Sequence, residues 1–237
     1  MKRKFILFAL LWSLVSCGEL QQIANQFPQS ANGLGNADIG EALRQALNEG
    51  IERQVTSLMK EGGFYNQPDV RILLPAELQK VDKKLRQIGL DALADEGIKL
   101  LNRAAEEAVK EAKPVFVKAV KEITFDDARK ILMGDGTAAT RYLENKTRTE
   151  LYQKFYPVVQ QSFKKVGADK VWNRIISRYN QIPFVQKVNP DLNDYVTQEA
   201  LKGVYKKIAD EEKRIRTDIN ARTTELMKKV FALQDKK

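Results

Sequence analysis

From Asp38 to Phe231 the apolar residues recur mainly three and four positions apart. A residue and its third and fourth neighbours share one side of a 3.6-residue turn, so this is the pattern of amphipathic helices. It predicts an all-α fold, a single compact domain of eight to nine helices. The first is expected over Asp38–Lys60, with Ile39, Leu43, Leu47, Ile51, Val55 and Leu58 on one face and Gly62-Gly63 ending it. Residues 64–75 break the pattern. Asn66-Gln67-Pro68-Asp69 is turn chemistry, and Val70–Leu74 is a short apolar run stopped by Pro75. This stretch is expected to be irregular or extended, with no clear strand partner. Further helices are expected from Pro75 to Ile88, Asp91 to Ala112 and from Pro114. Thr124 is an expected N-cap, with Asp126 and Asp127 complementing the dipole. Then come Ala138–Asn145 and Thr147–Val166, the latter expected to be kinked or split by Pro157. Asp169–Tyr179, Asp194–Ile215 and Ala221–Leu233 complete the set. No fixed-period repeat is present, so a solenoid is not expected.

The start of the chain follows another rule. Lys2, Arg3 and Lys4 precede an apolar run from Phe5 to Val15 and then Ser16-Cys17. A basic start and a short apolar stretch make a signal peptide, and the run is shorter than the about 20 residues of a spanning helix. Leu14-Val15-Ser16-Cys17 resembles the lipobox of bacterial lipoproteins. That resemblance implies removal of residues 1–16 and lipid attachment at Cys17, the only cysteine in the chain. Gly18, where no aspartate stands, implies outer-membrane placement facing the periplasm by analogy with enterobacterial sorting. Residues 17–36 read as a lipidated N-terminus and a flexible, polar tether. Residues 37–237 read as the helical domain.

Composition narrows the chemistry. There is no histidine, which removes Ser-His-Asp and Cys-His nucleophile systems and every His-ligated metal site. With Cys17 acylated, no thiol or disulfide remains. Carboxylate chemistry, Lys or Tyr acid/base work and Ser/Lys dyads survive, as do oxygen-ligated calcium and magnesium. Losing Lys2, Arg3 and Lys4 lowers the formal charge from +9 to +6. The 31 acids are interleaved among the bases, so no basic stripe for nucleic acid is expected.

Several groups could carry function. Gly134-Asp135-Gly136-Thr137 precedes a helix, and Arg141 could close an anion site on its amides. The loop lacks the Walker spacing and lysine, so a helix-cap loop is favoured. Asp126, Asp127 and Asp135 lack the EF-hand pattern, and no metal site is expected. Glu106, Glu107 and Glu111 share a helix and could form an acid/base pair, although Lys110 and Lys113 favour solvated ion pairs. Arg71 in the irregular stretch, and Arg178, Tyr179 and Asn180 before Pro183, are candidate binding residues because polar groups in non-helical hinges often bind ligands. Glu211-Glu-Lys-Arg-Ile-Arg216 reads as a solvated helix face.

Several segments also resemble, in order, a family of bacterial lipoproteins, the domain of unknown function 4197. They are Glu61–Pro75, Asn102–Ala108, Phe125–Leu132, Ala139–Leu143, Arg178–Phe184, Asp194–Thr197 and Ala221–Thr224. The resemblance implies a lipoprotein and offers no catalytic residues to carry over. The expectation is a membrane-anchored envelope protein with a non-catalytic binding or scaffolding role and no cofactor. Its partner would be an envelope protein or an apolar ligand. The alternatives are a carboxylate-based envelope hydrolase and a helical carrier of an apolar ligand.

Overall fold

The periodic segments become helices in a computed structural model, which describes residues 34–87, 89, 91–166, 187 and 191–235. Among the described residues there are eight α-helices and one 3-10 turn, with no strand. They are α1 (Asn36–Leu58), α2 (Ala76–Gln87), α3 (Asp91–Val109), α4 (Ala112–Lys121), α5 (Phe125–Met133), α6 (Ala138–Val166), α7 (Leu192–Thr217) and α8 (Glu225–Phe231). The 3-10 turn Ile219–Ala221 lies between α7 and α8. The all-helical expectation holds. The expected helix at Asp169–Tyr179 lies outside the described residues.

The six apolar residues expected on the α1 face are all buried. Five of them repeat every four residues, so the stripe drifts by about 40° per step around the helix. A drifting stripe faces several neighbours in turn, and α1 packs on α7, α5, α4 and α8. On α6 the same spacing runs through Leu143, Thr147, Leu151, Phe155, Val159 and Phe163, all buried. α7 is the central element, packed against α6, α1 and α3. Its apolar contribution includes Val196, Leu201, Val204, Tyr205, Ile208 and Ile215. The Tyr205 ring meets Phe116 of α4 edge-on at 5.9 Å. Burial pushes the Tyr205 phenol up to about 12, against the opposing hydrogen bond from Thr147.

Two expected interruptions are absent and several helix ends shift: α3 stops at Val109 and leaves Glu111 before α4, α4 starts at Ala112 rather than Pro114, and the helix expected over Ala221–Leu233 is α8 alone, preceded by the 3-10 turn. The expected break near Lys146 is absent, and α6 runs unbroken from Ala138 to Val166. Thr147 fits there because its hydroxyl is satisfied inside the helix, within 2.6 Å of the Leu143 carbonyl and 2.8 Å of the Tyr205 hydroxyl. Pro157 does not split the helix either. It is exposed, while Phe155 and Val159 beside it are buried. Packing on the inner face thus offsets the missing hydrogen bond on the outer one. Thr124 caps α5 as expected, forming a reciprocal box with Asp127.

The largest correction concerns Glu211–Arg216. The expected solvated face is buried at Glu211, Glu212 and Arg216. The Glu212 carboxylate accepts from the amides of Ala139 (3.0 Å) and Thr140 (2.8 Å) and from the Thr140 hydroxyl (2.8 Å). A side chain from α7 therefore caps the start of α6. Arg216, one turn on, donates to Glu212 at 2.8 and 3.0 Å and to the carbonyls of Ile131 (2.8 Å) and Leu132 (3.0 Å) at the end of α5. Glu211 is held by Arg53 and Gln54 of α1 and by Arg214. Arg222 then caps the end of α7 through the Ile215 and Arg216 carbonyls and grips Asp235 with two bonds.

Replacing Glu212 by Ala leaves Arg216 buried without its anion and removes the α6 cap, which should cost about 3–5 kcal/mol. Urea unfolding monitored by circular dichroism measures this. A loss comparable to a surface ion pair, below about 1 kcal/mol, would contradict the assignment.

Candidate functional site

Between α1 and α2 a non-helical stretch lies against the core, with Phe64, Val70 and Ile72 buried. Gly62 turns the chain with φ +76°, a conformation that favours glycine. Phe64 is fully buried, and its ring lies on α7 at Gly203. A Cβ there would come within 2.7 Å of the ring. Backbone polar groups of a non-helical segment need partners, and α3 supplies them. The Phe64 amide donates to Glu106 at 3.2 Å. Asn102, fully buried, accepts from the Ile72 amide at 2.8 Å and donates to the Ile72 carbonyl at 2.8 Å. The side-chain amide thus does for Ile72 what a neighbouring strand would do. Tyr195 donates to the Leu73 carbonyl at 3.0 Å. Lys206 and Lys207 hold Asp69, and the Lys207 hydrogen bond keeps its carboxyl below the usual range against the opposing effect of burial.

Beside this stretch lies a cleft of about 550 Å³, lined by Glu61, Gly62, Tyr65, Asn66, Glu96, Lys99, Leu100, Arg103 and Glu106. Its α3 wall comes from positions 96, 99, 103 and 106, a three–four–three spacing that puts them on one helix face. Arg71 stacks its guanidinium 4.0 Å from the centre of the Tyr65 ring, and Lys99 Nζ lies 5.6 Å from the same centre.

A second groove, of about 500 Å³, runs along α6 and α7 past Arg141, Arg148, Lys202 and Lys206. The two differ in what their polar groups already do. In the α6–α7 groove every polar side chain has an internal partner. Arg141 forks onto Asp135 at 2.8 and 2.9 Å, and Arg148 bonds Glu144 and Gln198. Lys202 pairs with Glu199, Lys206 with Asp210, and the Tyr205 hydroxyl with Thr147. In the Tyr65 cleft, Arg103 and Glu106 bond each other at 3.4 Å, but the side chains of Glu61, Tyr65, Asn66, Glu96 and Lys99 have no hydrogen bond or ion pair. Among the described residues, Arg71 is the only arginine in that state, and its Nε is buried without a partner. A buried donor left unpaired costs about 1–3 kcal/mol, a cost that the contact of Arg71 with the Tyr65 ring offsets in part.

The other expected site residues fall as follows. The α6 amides that Arg141 was to close over are occupied by Glu212, so that loop binds the chain's own carboxylate. Asp127 serves the α5 cap and Asp135 serves Arg141. No group of three or more carboxylates able to hold a metal ion occurs among the described residues. Glu106 is buried rather than solvated, whereas Glu107 pairs with Arg103 and Lys110 as expected. Cys17, Arg178, Tyr179 and Asn180 lie outside the described residues. Sequence reasoning found Arg71 and missed Tyr65, Lys99, Glu61 and Glu96. The available signal was the polar face at 96, 99, 103 and 106.

A family model described as "Protein of unknown function (DUF4197)" matches residues 33–232. No curated protein and no solved structure matches the chain.

Gly203→Ala tests how the cleft wall is seated. Alanine should gain about 1 kcal/mol in helix propensity, yet its Cβ collides with the Phe64 ring. Overpacking of about 1–3 kcal/mol should win, giving a net loss of about 1–2 kcal/mol by urea unfolding. A stabilised variant would place Phe64 elsewhere. The pH response follows from carboxyls that hydrogen bonds hold low: Asp69 by Lys207, Asp127 by Thr124 and Asp235 by Arg222. Depressed pKa values contribute stability above the unfolded value and lose it as pH falls through the folded one. Urea midpoints should therefore be flat from about pH 6 to 8, where no histidine titrates, and should fall below about pH 4.

Proposed function

The chain belongs to the DUF4197 family, and we propose that it is a lipid-anchored protein of the bacterial cell envelope with a non-catalytic binding role. Its ligand is received at the Tyr65 cleft. Cys17 carries the lipid after removal of residues 1–16, residues 17–36 tether the body, and the body faces the periplasm from the outer membrane. Support for the anchor comes from the Leu14–Cys17 resemblance and from the basic and apolar segments before it. No helix among the described residues is long and apolar enough to cross a membrane. Two or three acyl chains are enough for a stable anchor where one is not.

The observation that carries the binding role is the contrast between the two grooves. One has every polar side chain engaged internally, and the other leaves Glu61, Tyr65, Asn66, Glu96 and Lys99 facing a cleft beside an unpaired arginine. A volume of about 550 Å³ falls in the usual range for small-molecule sites. The apolar-carrier alternative has less support. Among the described residues, one apolar pocket between α1, α6, α7 and α8 measures about 20 Å³, enough for a water and far too small for an acyl chain. For the hydrolase alternative, Glu106 is a buried acid at the cleft, but the Phe64 amide and Arg103 already bond it.

Cys17→Ala should abolish incorporation of radiolabelled fatty acid and move the protein from the membrane to the soluble fraction. Continued labelling would end the anchoring reading. Turnover of an envelope polymer by the purified protein, abolished by Glu106→Gln, would replace binding with hydrolysis.

A further inference from the structure

We propose that the Tyr65 cleft recognises a small zwitterion of the peptide class, with its carboxylate on Arg71 and Lys99 and its ammonium toward Glu61 and Glu96. The inference rests on the binding reading above and adds the ligand's charge pattern. Arg71 is the anchor. Its guanidinium carbon lies 4.0 Å from the centre of the ring of Tyr65, a residue of the cleft wall, which puts a planar donor fork suited to a carboxylate beside the cleft. Lys99 brings a second positive charge to the same ring. Asp95, the nearby acid that feels both cations, is bonded by Arg86 at 2.7 Å and makes no hydrogen bond with Arg71.

A purely anionic ligand fits poorly, because Glu61 and Glu96 are unpaired carboxylates on the same cleft. A purely cationic one meets Arg71 and Lys99. A ligand carrying both charges at once satisfies both sets. The Tyr65 hydroxyl and the Asn66 amide, also unengaged, match the peptide groups between the two ends.

The test is calorimetric titration of the purified full chain with trialanine, its C-terminal amide and its N-acetyl derivative. Trialanine should bind. The amide should bind about tenfold more weakly, the loss of one charge-assisted contact of about 1.4 kcal/mol. The N-acetyl form should also bind more weakly, and raised salt should weaken trialanine. Arg71→Gln should remove the preference for the free carboxylate, and Arg71→Lys should restore part of it. Circular dichroism of each variant checks that the fold is kept, and Lys99→Gln gives an independent second reading. Equal binding of the three peptides, no binding of any, or an Arg71→Gln variant that keeps the preference would overturn the inference. A neutral glycan that binds the cleft and is insensitive to Arg71→Gln would also overturn it while leaving the binding reading intact. The failure of every ligand at the cleft would end both.

Discussion

The Glu212–Arg216 pair is the joint on which the arrangement of helices depends. Each helix end leaves amides or carbonyls unpaired, and a buried end without partners is costly. One turn of α7 supplies partners for two such ends. Glu212 takes the first amides of α6, and Arg216 takes the last carbonyls of α5. The two charges also neutralise each other at 2.8 Å in a dry environment. Breaking a buried pair is far more costly than never having had it, so the α5–α6 corner has one low-energy position on α7. Arg222 repeats the device at the end of α7, where its grip on Asp235 also fixes the C-terminal segment.

That rigid frame makes the Tyr65 cleft possible. A non-helical stretch of a dozen residues can lie on a helical core only if its backbone is satisfied, and Asn102 and Glu106 of α3 do this from below. Gly203 lets Phe64 approach the α7 backbone, and the buried ring holds the stretch in place. The side chains of Tyr65, Asn66 and Arg71 then make no hydrogen bond of their own, and Arg71 packs on the Tyr65 ring. In the α6–α7 groove, by contrast, the polar side chains serve each other.

Much of this was legible from residue spacing, and the failures are specific. Every apolar residue expected on the α1 face is buried, because burial follows from period and period can be read directly. Glu211–Arg216 was misread because charged residues are almost never fully buried unless paired, and the pairing partners lie in other helices. Ala139 and Thr140 are more than 70 positions away from Glu212. The unbroken α6 was missed for a related reason. Thr147 looks like a helix start on its own, but in place its hydroxyl serves Leu143 and Tyr205. In the cleft, Arg71 stood out as a charge in an irregular stretch. Lys99 and Glu96 looked like ordinary surface residues of a helix.

Helical periodicity, the positions of most helices, the break at residues 64–75 and the lack of histidine and thiol chemistry in the body are all written in the residues. These are local or compositional properties, set by neighbours within one or two turns. Which charges are structural and which stay unpaired is settled by contacts between helices. An acid or a base carries no mark of its partner in the sequence. Whether Glu212 caps a helix, Arg141 is neutralised or the Arg71 side chain is left without a hydrogen bond depends on what the fold brings within about 3 Å of it.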